Sequence, residues 1–332
     1  MTENHHRIQT DLIGHEQAEA QLMQAVSSGR LPHAWLIAGP EGVGKATLAY
    51  RFARYLLAGQ KSGKDLSVSP GAPAAKLIAA GSHPDLLIIE RTFDEKKGRF
   101  EQTIPVERVR EVAGFLHLTP SQGDKRVVIV DGASYLNRHG QNALLKILEE
   151  PPENALLMLT VESAGQMLPT IRSRMRVIKL EPLKPAQLRV LAQRNNLNIN
   201  DPKTLDFLID ISEGSAARLM RYAANDAAGL FTRWQDFLAQ PSNRLARLQL
   251  AEACSGKDSD DVFTAFNEIV FLWLRRSISA YAQGQGGAMP IDRLLALWDQ
   301  LSEKTATADF ANLDRKTALL NMLDDAANAL AA

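Results

Sequence analysis

Gly39, Gly42 and Gly44 precede Lys45 in the segment Gly39-Pro-Glu-Gly-Val-Gly-Lys45, which has the spacing G-x-x-x-x-G-K. Such a segment can bind phosphate. Glycines let backbone N–H groups curl around phosphate oxygens, a following helix N-terminus adds partial positive charge, and the lysine reaches the terminal phosphates. A glycine-rich turn that only joins a strand to a helix has a similar composition, but the lysine at this spacing favours the phosphate loop. The same pattern asks for Ser or Thr directly after the lysine, where a hydroxyl ligates Mg²⁺. That position is Ala46, and the hydroxyl of Thr47 comes one residue late, a helical step of about 100° away.

A nucleotide-hydrolysis site also needs an acidic strand end. Asp131 closes the apolar run 127–130 and supplies a carboxylate that could face a metal. It could equally be a strand-end carboxylate that caps the following turn. Next comes Gly132, where many ATPases carry the Glu that polarises the attacking water, and no carboxylate follows until Glu149. Positioning and charge stabilisation are nearly all of phosphoryl-transfer catalysis, so losing the hydroxyl and the base together predicts very slow hydrolysis. The residues Gly39, Gly42, Gly44, Lys45, Thr47 and Asp131 therefore read as a degenerate nucleotide site with weak ATP binding at best.

The elements that must hold these residues are legible as short apolar runs at 34–38, 86–89, 127–130, 156–161 and 177–180. Continuous rather than alternating hydrophobicity predicts strands buried on both faces, as in a parallel sheet covered by helices. Between the runs, 46–57 places Leu48, Ala49, Phe52, Ala53 and Leu56 on one helical face, and 139–148 does the same with Ala143, Leu144 and Ile147. Such alternation predicts an α/β class. After Glu181 strand signals stop. Helical patterns at 186–194, 203–212 and 216–224 suggest a small three-helix unit, and longer ones follow from about 227. The expected organisation is a P-loop α/β domain over 1–181, a small helical lid over 182–226 and an all-α domain over 227–332.

Composition narrows the class. The 332 residues carry 38 Lys and Arg against 38 Asp and Glu, which argues against a generally basic nucleic-acid coat and against an acidic disordered tail. A single cysteine, Cys254, excludes a disulfide framework and a multi-thiolate zinc site and fits a reducing cytosol. Residues 1–11 lack the apolar stretch of a secretory signal, and no run approaches the length of a membrane span, so a soluble cytoplasmic protein is expected. His5, His6 and His15 read as incidental, His83 as a turn residue, and Arg275 and Arg276 as a solvated helix face. Trp273 and Trp298 read as core or subunit packing.

Six further segments carry a resemblance: Leu12-Ile-Gly-His-Glu16, Gly29-Arg-Leu-Pro-His-Ala34, Gly81-Ser-His-Pro-Asp85, Ile104-Pro-Val-Glu-Arg-Val-Arg110, Asn142-Ala-Leu-Leu-Lys-Ile-Leu-Glu-Glu-Pro-Pro152 and Leu168-Pro-Thr-Ile-Arg-Ser-Arg174. In order and spacing, 12–180 resembles the bacterial clamp-loader subunits of the AAA+ superfamily, nearest the delta-prime type of DNA polymerase III. The resemblance implies an AAA+ fold with a lid and a C-terminal helical collar. It implies a role in DNA replication as a non-hydrolysing stator within the polymerase holoenzyme rather than a catalyst by itself. Implied partners are tau/gamma-type and delta-type subunits, the sliding clamp indirectly, and primed DNA within the complex, with no membrane. By residue-wise match, Arg174 with Ser173 before it corresponds to the arginine finger that reaches the ATP site of the adjacent subunit.

Departures from the family are informative. Met175 replaces a frequent cysteine. The stretch 59–80 lacks the four cysteines that bind zinc in many relatives, so no zinc is expected. The polar residue that senses the γ-phosphate is expected at Val161, with Thr160 facing the other way, and the sensing arginine falls at Ala217 beside Arg218. An active AAA+ motor subunit of the tau/gamma type is the alternative, and a replication-independent AAA+ adaptor is a further one. Two readings of local chemistry stay open. Arg172, Arg174 and Arg176 would share one side if their segment is extended, and Arg174 is either the finger or a surface arginine with a local salt bridge. Glu149 and Glu150, at a helix end stopped by Pro151 and Pro152, oppose the dipole and are either solvated or matched by a basic neighbour.

Overall fold

The computed structural model describes residues 5–60, 63, 65–94, 99–197, 199, 201–254, 259–284, 289–311 and 315–331. The chain packs as two compact units, Met1–Gln187 and Leu188–Ala332.

In the first unit, β1 (Ala34–Ala38), β2 (Leu86–Ile89), β3 (Arg126–Val130), β4 (Ala155–Val161) and β5 (Arg176–Lys179) form one parallel sheet in the order β2-β3-β4-β1-β5. All five apolar runs are strands of it. Every residue of β1, β3 and β4 is buried, which is why these runs do not alternate. Each face has its own core. Leu36, Val128, Val130, Leu157, Leu159 and Val161 line one face. Ile37, Val127, Ile129, Leu156 and Met158 line the other, against Leu48 and Phe52 of the helix Lys45–Leu57. The register places Ala38 beside Val161 and Ile89 beside Val130, so the strand C-termini finish together along one edge. In an open parallel sheet that edge is where ligands bind. A two-stranded antiparallel ladder, Phe93–Asp94 with Arg99–Phe100, was not expected from the sequence.

Buried charge organises the unit. Arg51, on the helix Lys45–Leu57, pairs with Glu19 at 2.6 Å and also donates to the Thr10 carbonyl. Arg54 donates to the Gln9 and His6 carbonyls. These bonds pin the N-terminal segment along the helix. Asp85 is fully buried, lies 3.5 Å from Arg126, and accepts from the Ser121 and Gln122 N–H groups at 2.7 and 2.8 Å.

The second unit is helical. Asp201, Ser215, Asp226 and Asn243 each cap a helix by accepting backbone N–H bonds, the usual work of such residues at helix starts. Trp234 centres the core, against Phe237, Phe266 and Trp273 at ring distances of 5.4, 5.9 and 5.6 Å. Arg275 and Arg276 are not merely a solvated face: Arg275 pairs with Glu213, and Arg276 with Asp210 at 2.6 Å. Cys254 is fully buried, and burial pushes its thiol up to about 12. The thiolate is the reactive form, so Cys254 is expected to resist thiol reagents at pH 8 in the native protein and to react fully in denaturant. Labelling counted by mass spectrometry checks this, and rapid native modification would contradict it.

Candidate nucleotide site and arginine

Gly39 leaves β1 where an added Cβ would lie 2.6 Å from the Leu180 carbonyl oxygen. Only glycine fits that approach. Gly44, at φ 109°, starts the helix Lys45–Leu57 in a left-handed conformation that side chains rarely adopt. Gly42 also has positive φ, at 74°. His15 supports the loop from beneath, its Nε2 2.7 Å from the Val43 carbonyl, and burial holds its pKa below the ordinary histidine value.

The loop is therefore formed, and its lysine is folded onto it. Lys45 Nζ donates to the Gly39 and Pro40 carbonyls, both at 2.7 Å. Burial draws Lys45 below the usual lysine range, while the carboxylates of Glu162, Asp131 and Glu41 act in the opposite direction. A phosphate in the loop would compete with these carbonyls for the ammonium. Thr47 is buried, with its Oγ1 3.5 Å from His6 Nδ1, so its hydroxyl turns to the N-terminal segment.

Asp131 follows β3, its N–H donating to the Ile89 carbonyl at 2.8 Å. Its carboxylate accepts from Thr160 Oγ1 at 2.5 Å, and the same hydroxyl accepts from the Gly132 N–H at 2.8 Å. This corrects the expectation that Thr160 faces away. Along β4, Leu157, Leu159 and Val161 line one face. Leu156 and Met158 line the face that carries the helix Lys45–Leu57, and Thr160 continues that row. A polar strand-end group is thus present on the P-loop side, and Val161 is core.

Gly132 is a different matter. Its φ is 72°, and an added Cβ would lie 2.8 Å from the Tyr135 ring. A glutamate could not take this place without strain. Gly132→Glu is therefore expected to create no ATPase and to destabilise the fold by roughly 1–2 kcal/mol, the cost of a left-handed side-chain residue. A urea melt and a turnover assay check both halves, and a gain of hydrolysis would contradict the reading.

Sequence reasoning missed Glu90, which follows β2 beside Asp131. It pairs with Arg7 at 3.1 Å. Burial pushes the Glu90 carboxyl up, and Arg7 opposes the shift. Arg7 also hydrogen-bonds Tyr50, whose phenol burial raises to about 12. No local signal joins residues this far apart in the chain.

Arg174 occupies a helical turn, not an extended segment. Pro169–Arg172 is helical, Ser173 continues it, and the Arg174 N–H donates to the Ile171 carbonyl. The three arginines therefore do not alternate along one side. Arg174 Nη2 lies 3.0 Å from Glu149 Oε1, Nη1 donates to the Thr170 carbonyl at 2.9 Å, and the side chain is 37% exposed. Ser173 Oγ donates to the same Thr170 carbonyl at 3.0 Å. Glu149, at its helix end, thus has its basic neighbour. No hydrogen bond or ion pair among the described residues joins Arg174 or Ser173 to the loop or to Asp131, so the site falls into two separate groups on the first unit.

A protein-family model described as DNA polymerase III, delta subunit, matches residues 14–184. The chain is 34% identical over 189 residues to the DNA polymerase III subunit delta' of Pseudomonas aeruginosa, covering 57% of this chain and 55% of that protein. It is 30% identical over 210 residues to the DNA polymerase III subunit tau of Escherichia coli, covering 62% of this chain and 31% of that one. The match thus spans about half or less of the length of these curated relatives. Among solved structures, a DNA polymerase III gamma subunit-related protein from Thermotoga maritima aligns over 93% of this chain and 99% of its own. Its TM-score is 0.45 and its identity 18%.

Proposed function

The chain belongs to the DNA polymerase III delta-subunit family of clamp-loader proteins, matched over residues 14–184, and on that footing we propose that it is a delta-prime-like stator of the loader. In this reading it joins tau/gamma-type and delta-type subunits in the cytoplasm. It presents Arg174 in trans to a neighbour's ATP site and helps place the sliding clamp on primed DNA. The α/β domain 1–181 would carry the degenerate nucleotide site and Arg174. Residues 182–226 would act as a lid and 227–332 as a collar that oligomerises.

One observation carries the stator role. A well-formed phosphate loop faces Asp131, but the next position is a left-handed glycine packed on Tyr135, with Ala46 in place of the metal-ligating hydroxyl. Nucleotide can be held weakly by Gly39, Gly42, Gly44 and Lys45, without a base to activate water. Arg174, partly exposed and held only by an exposed carboxylate and one carbonyl, is free to exchange partners across a subunit boundary. Pairs of this kind contribute about 0–1 kcal/mol.

The contact of Thr160 with Asp131 favours a second reading, an active motor subunit of the tau/gamma type. Turnover separates the two. The isolated chain should show no ATPase above background, and its Lys45→Ala variant should be indistinguishable from it. Turnover that Lys45→Ala abolishes would establish the motor.

A further inference from the structure

The helical second unit holds a cavity of about 310 Å³, bounded by the helix Ala216–Ala224 on one side and by Ser259–Ala282 and Ile291–Ala311 on the other. Its polar lining is incompletely satisfied. Asn267 is 7% exposed, and its Oδ1 has no hydrogen-bond partner; the same holds for Arg218 Nε and Thr305 Oγ1. All three residues line the cavity. Buried polar atoms are ordinarily hydrogen-bonded, so an acceptor, a donor and a hydroxyl left together can take up an occupant that pairs with them.

The rest of the lining says what kind. Phe263, Phe271 and Trp298 supply aromatic surface, with Phe271 and Trp298 edge to face at 5.1 Å. The wall carries charge of both signs. Glu213 pairs with Arg218 and Arg275, and Glu268 pairs with Arg221 at 2.7 Å. Tyr222 stays neutral, since burial and the Glu268 carboxylate push its phenol up. The volume is at the small end of ligand pockets, which begin at about 300 Å³.

We propose that this cavity binds a small planar heterocycle of the nucleobase or nucleoside class. Its ring would lie against Phe271 and Trp298, its N–H would donate to Asn267 Oδ1, and a ring acceptor would receive Arg218 Nε. Such molecules combine an aromatic face with a donor and an acceptor on one edge. The site lies on the second unit and does not involve the P-loop.

Titration of adenosine, guanosine, cytidine and uridine against the full chain, by calorimetry and ligand-observed NMR, tests this. At least one should bind saturably below millimolar concentration, and Lys45→Ala should leave that binding unchanged. Asn267→Leu, which removes the acceptor at similar volume, should weaken it about tenfold, as expected for one lost hydrogen bond. Thr305→Val, nearly isosteric, should weaken it severalfold and decides the matter if Asn267→Leu does not fold. The proposal fails if no nucleoside saturates, if binding survives both cavity substitutions in folded protein, or if it disappears with Lys45→Ala.

Discussion

Arg174→Ala is expected to cut clamp loading by the reconstituted loader far more than it cuts DNA-stimulated ATP hydrolysis. A guanidinium is always charged and presents rigidly oriented donors, so it can meet the charge that develops on a transferring phosphoryl group. Fingers of this kind contribute on the order of 10³–10⁵ in rate at the site they enter. Only the ATP site bordering this subunit should lose that factor, so total hydrolysis falls by a fraction while loading, which needs coordinated sites, falls further. Arg174→Lys should rescue little, because an ammonium lacks the reach and the planar fork. Glu149→Gln removes the negative charge that Arg174 rests against and should leave loading intact, as should Arg172→Ala and Arg176→Ala. If the complex assembles and Arg174→Ala loads clamps at the wild-type rate, Arg174 is only a surface ion pair.

Asp85→Ala should destabilise the first unit by about 3–5 kcal/mol, the cost of stripping one partner from a buried ion pair. The carboxylate is fully buried, accepts from the Ser121 and Gln122 N–H groups and forms an ion pair with Arg126. Its loss leaves two backbone donors and a guanidinium without their acceptor. Arg126 retains two bonds to the Thr119 carbonyl and the Phe115 ring 4.6 Å below it, which sets the cost at the lower end of that range. Chemical denaturation of residues 1–187 and of the full chain measures it. A change below about 1 kcal/mol would mean that the loop 119–125 is not tied to the sheet through Asp85.

The sheet and the loop were legible for a physical reason. Strands buried on both faces leave unbroken apolar runs, and a phosphate loop needs glycines at fixed places, so Gly39, Gly44 and Lys45 announce both. The same uniformity hid Thr160. When both faces of β4 are apolar, the run does not tell which face carries the P-loop helix, and the orientation of its last residues is undetermined until the helix Lys45–Leu57 is seen on the side of Met158. The arginine segment misled in the opposite way. Its alternation suggested an extended stretch, but Pro169 starts a short helix that turns Arg174 onto Glu149. Pairs distant in sequence, Arg7 with Glu90 and Arg275 with Glu213, leave no trace in local pattern, and Arg275 therefore read as an ordinary solvated residue.

In the proposed role, the loader needs this chain as a part that does not itself turn over ATP. The direct measurement is clamp loading on primed DNA by delta-type and tau/gamma-type subunits with the sliding clamp, mixed with and without this chain. Loading should require the chain and proceed equally well with its Lys45→Ala variant. Equal loading in its absence, or loss of loading with Lys45→Ala in an assembled complex, would contradict the account.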